Sequence, residues 1–208
     1  MRRMPTFAPP CIPVSRPAPP RGGGWLHEPK FDGWRAQVMI YDGAVRILSR
    51  GGHDLGGRVP VLAGTLLAVD ATTVVIDCEL VSPRVDGSCD FDGLAGAIAS
   101  RRGEDLLLWA FDLLHLDGVD LRARSLIERK ADLADLLLRS ECEVMLLSAV
   151  FDDGEALLRA AEVHGLEGVV SKRASSPYVS GRCASWVKTK TASWRAANRE
   201  RWRLFVRS

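Results

Sequence analysis

The feature that most constrains this chain is a two-residue turn between two β-prone runs. Trp34 to Tyr41 and Ala44 to Arg50 flank Asp42-Gly43. A type I′ turn needs positive φ at both central positions, so this dipeptide predicts an antiparallel hairpin. Thr72 to Val81 and Leu106 to Leu114 read as further strands, the second closed by the turn residues Asp117-Gly118. Ser125-Leu-Ile-Glu128 is a capping box that opens a helix through ERKADLADLLLRS, with Leu126, Leu133, Leu136 and Leu137 on its apolar side. Glu143 to Val150 reads as a strand and Gly154 to His164 as a helix closed by Gly165. Gly168 to Lys172 and Ser185 to Thr191 are two more short strands. Strands and helices mixed without regular βαβ alternation predict an α+β domain of antiparallel sheets flanked by helices.

With 208 residues, 47% of them hydrophobic and 26% charged, the chain can bury a core, which excludes a disordered chain or a coiled coil. Residues 1–24 are rich in Pro and Gly and lack an apolar core, so they read as an irregular lead-in rather than a secretory signal. No apolar run is long enough to span a bilayer. Five cysteines without a CxxC pair indicate neither a zinc site nor a disulfide framework, and a reducing cytoplasm is the expected setting. Net charge is only +2, yet from Arg182 onward eight cations face one acid, Glu200. That segment suits phosphate contacts, and equally a solvated basic tail over 192–208.

The densest chemical clue is Glu28-Pro-Lys30-Phe-Asp32-Gly33-Trp-Arg35. It sets an amine beside a tight turn and a second cation. An amine attacks phosphorus only after losing its proton, and neighbouring cations or desolvation favour that loss. Alone, KxDG recurs by chance and reads as a polar turn into the hairpin.

The other segments change that balance. KFDGWR is followed in order by SRGG at 49–52, DCEL at 77–80, WAFDLL at 109–114, EGVVSKR at 167–173 and WVKTK at 186–190. This series resembles the nucleotidyltransferase motifs of ATP-dependent DNA ligases, above all the ligase domain of bacterial end-joining ligases. The resemblance covers roughly residues 5 to 205. It implies the fold shared by DNA ligases and mRNA-capping enzymes (an ATP-grasp-like α+β domain), spanning 25–191.

By that resemblance Lys30 is the nucleophile that takes AMP from ATP, and Lys188 and Lys190 hold the α-phosphate. Glu28 is expected at the adenine edge, Asp32 and Gly33 in the turn, and Arg35 and Arg50 on phosphate or ribose. Phe111 is expected to stack on adenine. Glu79 faces the ribose and metal region, and with Glu167 is expected to hold Mg²⁺ or Mn²⁺, hard ions that prefer carboxylate oxygen. His115 and His164 lack partners at metal-ligand spacing, and Trp186, Trp194 and Trp202 read as packing residues. The implied substrate is nicked or broken double-stranded DNA in strand-break repair.

The chain departs from the family pattern at Gly51, where Asn is usual, and at Cys78, where Gly is usual. Residues 191–208 are too few for the five-stranded OB-fold barrel that follows this domain in complete ligases. The expectation is therefore a chain that charges Lys30, with sealing assisted by a separate OB-fold or end-joining protein. The rival readings are a truncated paralogue that binds nucleotide or nicked DNA without sealing, and an RNA ligase or guanylyltransferase.

Overall fold

The computed structural model describes residues 5–205, with side chains as far as residue 198. Two sheets face each other. The larger is built around the expected hairpin, β3 (Trp34–Tyr41) and β4 (Ala44–Ser49), whose turn residues Asp42 and Gly43 sit at φ 49° and 75°. It continues through β5 (Thr73–Val81) and β6 (Leu107–Leu116) to the two-residue β7 (Val119–Asp120), in the order β4-β3-β5-β6-β7. A short β8 (Met145–Leu147) runs parallel to β6. The smaller sheet has the order β1-β10-β9-β2, from β1 (Cys11–Ser15), β2 (Trp25–Lys30), β9 (Gly168–Arg173) and β10 (Gly181–Lys190).

Helices cover the outer face of the larger sheet. β5 is buried along nearly its whole length, which fits its largely apolar sequence, interrupted only by Asp77 and Glu79 after Thr73. Val38 and Ile40 of β3 and Ile76 and Leu80 of β5 pack in one core with residues of three helices. These are α1 (Pro60–Thr65, through Leu62), α2 (Phe91–Ala99, through Leu94) and α3 (Leu126–Arg139, through Leu133 and Leu136). The Ser125–Glu128 capping box starts α3 as expected. A buried Arg129–Asp112 pair, at 2.7 Å, locks α3 to β6. The opposite face of the larger sheet presents Met39, Leu48, Val75 and Leu114 to Cys11, Cys183 and Trp186 of the smaller one and to Tyr178 of the β9–β10 connection, a second core between the sheets. α4 (Gly154–Val163) packs behind β9 and β2, and α5 (Ala192–Phe205) follows β10.

Several expectations need correction. The lead-in contains strand β1, whose partner strand β10 draws it into the sheet, and β1–β10 and β6–β8 are parallel pairs among the antiparallel ones. The strand expected over 143–150 shrinks to three residues because only Met145 to Leu147 pair with β6. Of the basic tail expected over 192–208, residues 192–205 form the helix α5, whose start Glu162 caps through Ala192 N at 2.7 Å and Ser193 N at 2.9 Å, and residues 206–208 lie outside the described residues.

Candidate active site

Period-two geometry builds the site. β2, β9 and β10 lie in register so that Lys30, Gly168 and Lys190 form one cross-strand row, and Glu28, Val170 and Lys188 the next on the same face. Gly168 has to be glycine. A Cβ there would overlap the Thr189 carbonyl oxygen and lie 2.8 Å from Lys190 Cα, at a φ of 154°. The missing side chain lets the backbone of β10 close onto β9 at this point. Glu167, the residue before it, joins the two lysines, accepting from Lys30 Nζ at 2.6 Å on one oxygen and meeting Lys190 Nζ at 2.8 Å on the other. The turn after Lys30 is equally tight. A Cβ on Gly33 would overlap the Leu80 carbonyl and lie 2.9 Å from Val81 Cγ1, so β3 is drawn hard against β5.

At its Lys30 end this row meets a cavity of about 570 Å³ between the two sheets, well within the range of small-molecule sites. Lys30, Arg35, Glu79, Phe111, Lys172 and Lys188 are among its lining residues, and Arg50 stands exposed at its rim. Burial pushes the Glu79 carboxyl up to about 7; Lys30 and Arg35 pull it down, Glu167 and Asp77 push it further. Burial also raises Asp32, with Glu167 adding to the effect. Lys188 is pushed down by burial and by the cations of Lys30 and Lys190. Acids and amines thus disturb one another around a single point.

Three expected nucleotide contacts are engaged by protein. Glu28 is buried, accepting from Lys172 Nζ at 2.9 Å and pairing with Lys130 Nζ at 3.0 Å. Burial alone would raise its carboxyl, but the two ammoniums more than reverse that. Arg35 lines the cavity while its fork grips Asp77, at 2.9 and 2.6 Å, and the Cys11 carbonyl. It is a buttress between the sheets, set 5.1 Å from the Phe111 ring centre and 5.5 Å from that of Trp186. Phe111 also carries the Lys172 ammonium 4.3 Å from its ring centre. Arg50, Glu79 and Lys188 lie on the cavity wall.

Lys172, Lys130, Asp77 and Tyr178 were not singled out from sequence. Lys172 had a usable signal: in EGVVSKR it stands two residues beyond Val170, on the face that carries Glu28 and Lys188. Burial brings it down to about 8 against the pull of Glu28. Asp77 opens the DCEL segment, whereas Lys130 had no comparable signal, because α3 meets the site only through the tertiary fold. Trp186 packs between the sheets as expected, the Trp202 side chain lies outside the described residues, and Trp194 does more than pack: its ring lies against Lys190.

Two sheets closing on a cleft that carries paired lysines and carboxylates define a nucleotidyltransferase domain. The model of the ATP-dependent DNA ligase domain matches residues 18–190, and the chain belongs to that family. It is 41% identical over 173 residues to the multifunctional non-homologous end joining protein LigD of Pseudomonas aeruginosa, covering 83% of this chain and 20% of that protein. A solved mycobacterial DNA ligase D complexed with ATP and MES superposes with a TM-score of 0.76 at 34% identity, over 88% of this chain and 60% of that one. The ligase domain of Mycobacterium tuberculosis LigD gives the same TM-score at 32% identity and the same coverage. The chain therefore spans about a fifth of the Pseudomonas protein. Among the described residues no helix is long and apolar enough to cross a membrane.

Proposed function

We propose that this domain charges Lys30 with AMP from ATP and passes the AMP to the 5′-phosphate of a DNA break, for strand joining in bacterial repair. The observation that carries the reading is the row Lys30–Gly168–Lys190 with Glu167 between its ammoniums, set so that Lys30 lines the cavity. Lys30 has to shed a proton before its nitrogen can attack, and Glu167 Oε2 is an acceptor within 2.6 Å. The new bond joins Nζ to the α-phosphorus, the bond from that phosphorus to the β-phosphate oxygen breaks, and pyrophosphate leaves. Lys190 and Lys188 stand beside Lys30 to balance the charge that builds on the α-phosphate.

A divalent cation fits the donor set. Glu79 and Glu167 act on one another and on Lys30, and the cost of a buried Glu79 charge falls beside a cation. No group of three or more acids or histidines among the described residues could hold a metal ion alone. Two carboxylates, with phosphate and water completing the shell, suit Mg²⁺ or Mn²⁺. Such an ion would screen the phosphate charge as ATP binds. The DNA partner is a nicked or broken duplex, with the reaction in the bacterial cytoplasm and the remaining sealing apparatus on other domains or chains.

Mass spectrometry after incubation with ATP and Mg²⁺ tests the first step, with Lys30→Ala as control. A gain of one AMP on Lys30, absent from the variant, is the expected result, and no gain in the wild type would overturn the reading. A nicked duplex then tests transfer and closure.

A further inference from the structure

The Trp194 ring touches two groups of the charging site with two different parts. Its face lies 3.4 Å from Lys190 Nζ, and its ring N–H donates to Asp32 Oδ2 at 3.4 Å. Lys190 is already tied to Glu167, and Asp32 is two residues from Lys30 in the tight turn. One indole therefore spans the row from the Lys190 end to the turn that follows Lys30.

Its own position is fixed from three sides. Thr191 is buried and donates from Oγ1 to the Leu166 carbonyl at 3.0 Å and from its backbone N–H to the Glu167 carbonyl at 3.0 Å. Trp194 N donates back to Thr191 Oγ1 at 3.4 Å. Glu162 of α4 caps the first turn of α5. The start of α5 is thus bonded to the same short segment, Leu166-Glu167, that carries the carboxylate between the lysines.

We propose that Trp194 is a positioning residue for the charging step, its ring face holding Lys190 beside Lys30 and its N–H holding Asp32 out of the ion pair between Lys30 and Glu167. The proposal rests on Lys30 as the charged residue. A lysine side chain has several rotatable bonds, and an aromatic face beneath its ammonium removes much of that freedom while leaving the charge in place for a phosphate. The indole N–H serves the other end. Asp32, if released, would compete with Glu167 for the Lys30 ammonium.

Two variants separate the two contacts. Trp194→Phe keeps the face and removes the N–H; Trp194→Ala removes both. Single-turnover formation of lysyl-AMP should slow about tenfold in Trp194→Ala, the scale of one partly desolvated cation–π contact, with little change in the ATP concentration for half-maximal rate. Trp194→Phe should recover most of the rate. In ¹³C-lysine NMR of the full chain, the Lys190 ε-methylene should carry an upfield ring-current shift in the wild type and Trp194→Phe, and lose it in Trp194→Ala. Circular dichroism melts verify that each variant folds. A wild type that charges together with a Trp194→Ala that charges at the same rate would overturn this proposal alone. An unshifted Lys190 methylene in the wild type would overturn it as well. A wild type that forms no adduct would remove the Lys30 reading and this one with it.

Discussion

The Lys30 ammonium is held 2.6 Å from Glu167 Oε2, so the candidate nucleophile rests as half of an ion pair. The second Glu167 oxygen meets Lys190, and the carboxylate lies almost wholly out of solvent. A single anion thus keeps two ammoniums close together on the face of a small sheet.

Replacing that anion should separate chemistry from fold. Glu167→Gln keeps the shape and hydrogen-bonding oxygen but removes the charge between two lysines and the nearest acceptor for the Lys30 proton. Lysyl-AMP formation should fall on the order of 100-fold or more, the usual reach of a positioned acid or base. Quench-flow labelling with ATP checks this, and an unchanged rate would assign the proton to another group.

Glu79 gives a pH dependence with a definite sign. Its carboxyl is raised from 4.5 to about 7 by burial, so between those values the folded state holds a proton that the unfolded state has lost. Stability contributed by the neutral form is present below pH 4.5 and is lost as pH rises towards 7. Glu79→Gln fixes the neutral form. Its melting temperature relative to wild type should therefore rise between pH 5 and pH 8, while metal-dependent charging falls. In the wild type, charging should weaken as pH drops through 7, and more Mg²⁺ should move that limb to lower pH. Thermal melts at the two pH values, with charging rates in a Mg²⁺ series, measure both effects.

How much of this was legible in the sequence depends on how local the cause is. Asp42-Gly43 and the Ser125 capping box specify their own backbone, and both elements form where the residues place them. The motif series contains Lys30, Glu79, Glu167, Lys188 and Lys190; the fold sets Lys30, Glu79 and Lys188 on one cavity and pairs Glu167 with Lys30 and Lys190. The partners of Glu28 and Arg35 were not legible. Lys172 is 144 residues from Glu28, and Asp77 is 42 from Arg35, so only strand register makes them neighbours. The same register explains β1: CIPVS has little strand signal of its own and is ordered by the edge of β10.

Gly168 offers a test of the row itself. Gly168→Ala would drive a methyl into Thr189 and Lys190 backbone, in a β-strand with no slack. A loss of roughly 3 kcal/mol or more is expected, with the Lys30–Lys190 row disrupted. Gly181, at φ 85° with no atom within 4 Å of its would-be Cβ, is the contrast. Gly181→Ala carries only left-handed strain, about 1–2 kcal/mol. Chemical denaturation of both variants distinguishes overlap from backbone strain, and equal losses would refute the close approach at Gly168.

The buried Glu28 explains why a lysine at about 8 is tolerated beneath the cavity. Lys172 and Lys130 share one carboxylate there, and removing the anion leaves two ammoniums with no countercharge. Glu28→Gln should cost about 3–5 kcal/mol near neutral pH. With the anion gone, the folded Lys172 releases its proton below 8, earlier than in the wild type. Between that lower value and pH 8 the variant's folded state binds fewer protons than the wild type's, so its deficit shrinks as pH rises and levels off above 8. Adding Lys172→Met should restore part of the loss at pH 7 by removing one of the stranded charges. Urea titrations at pH 6, 7 and 8.5 read the deficit directly, and one that grows with pH would show that the Glu28 charge is not what holds Lys172.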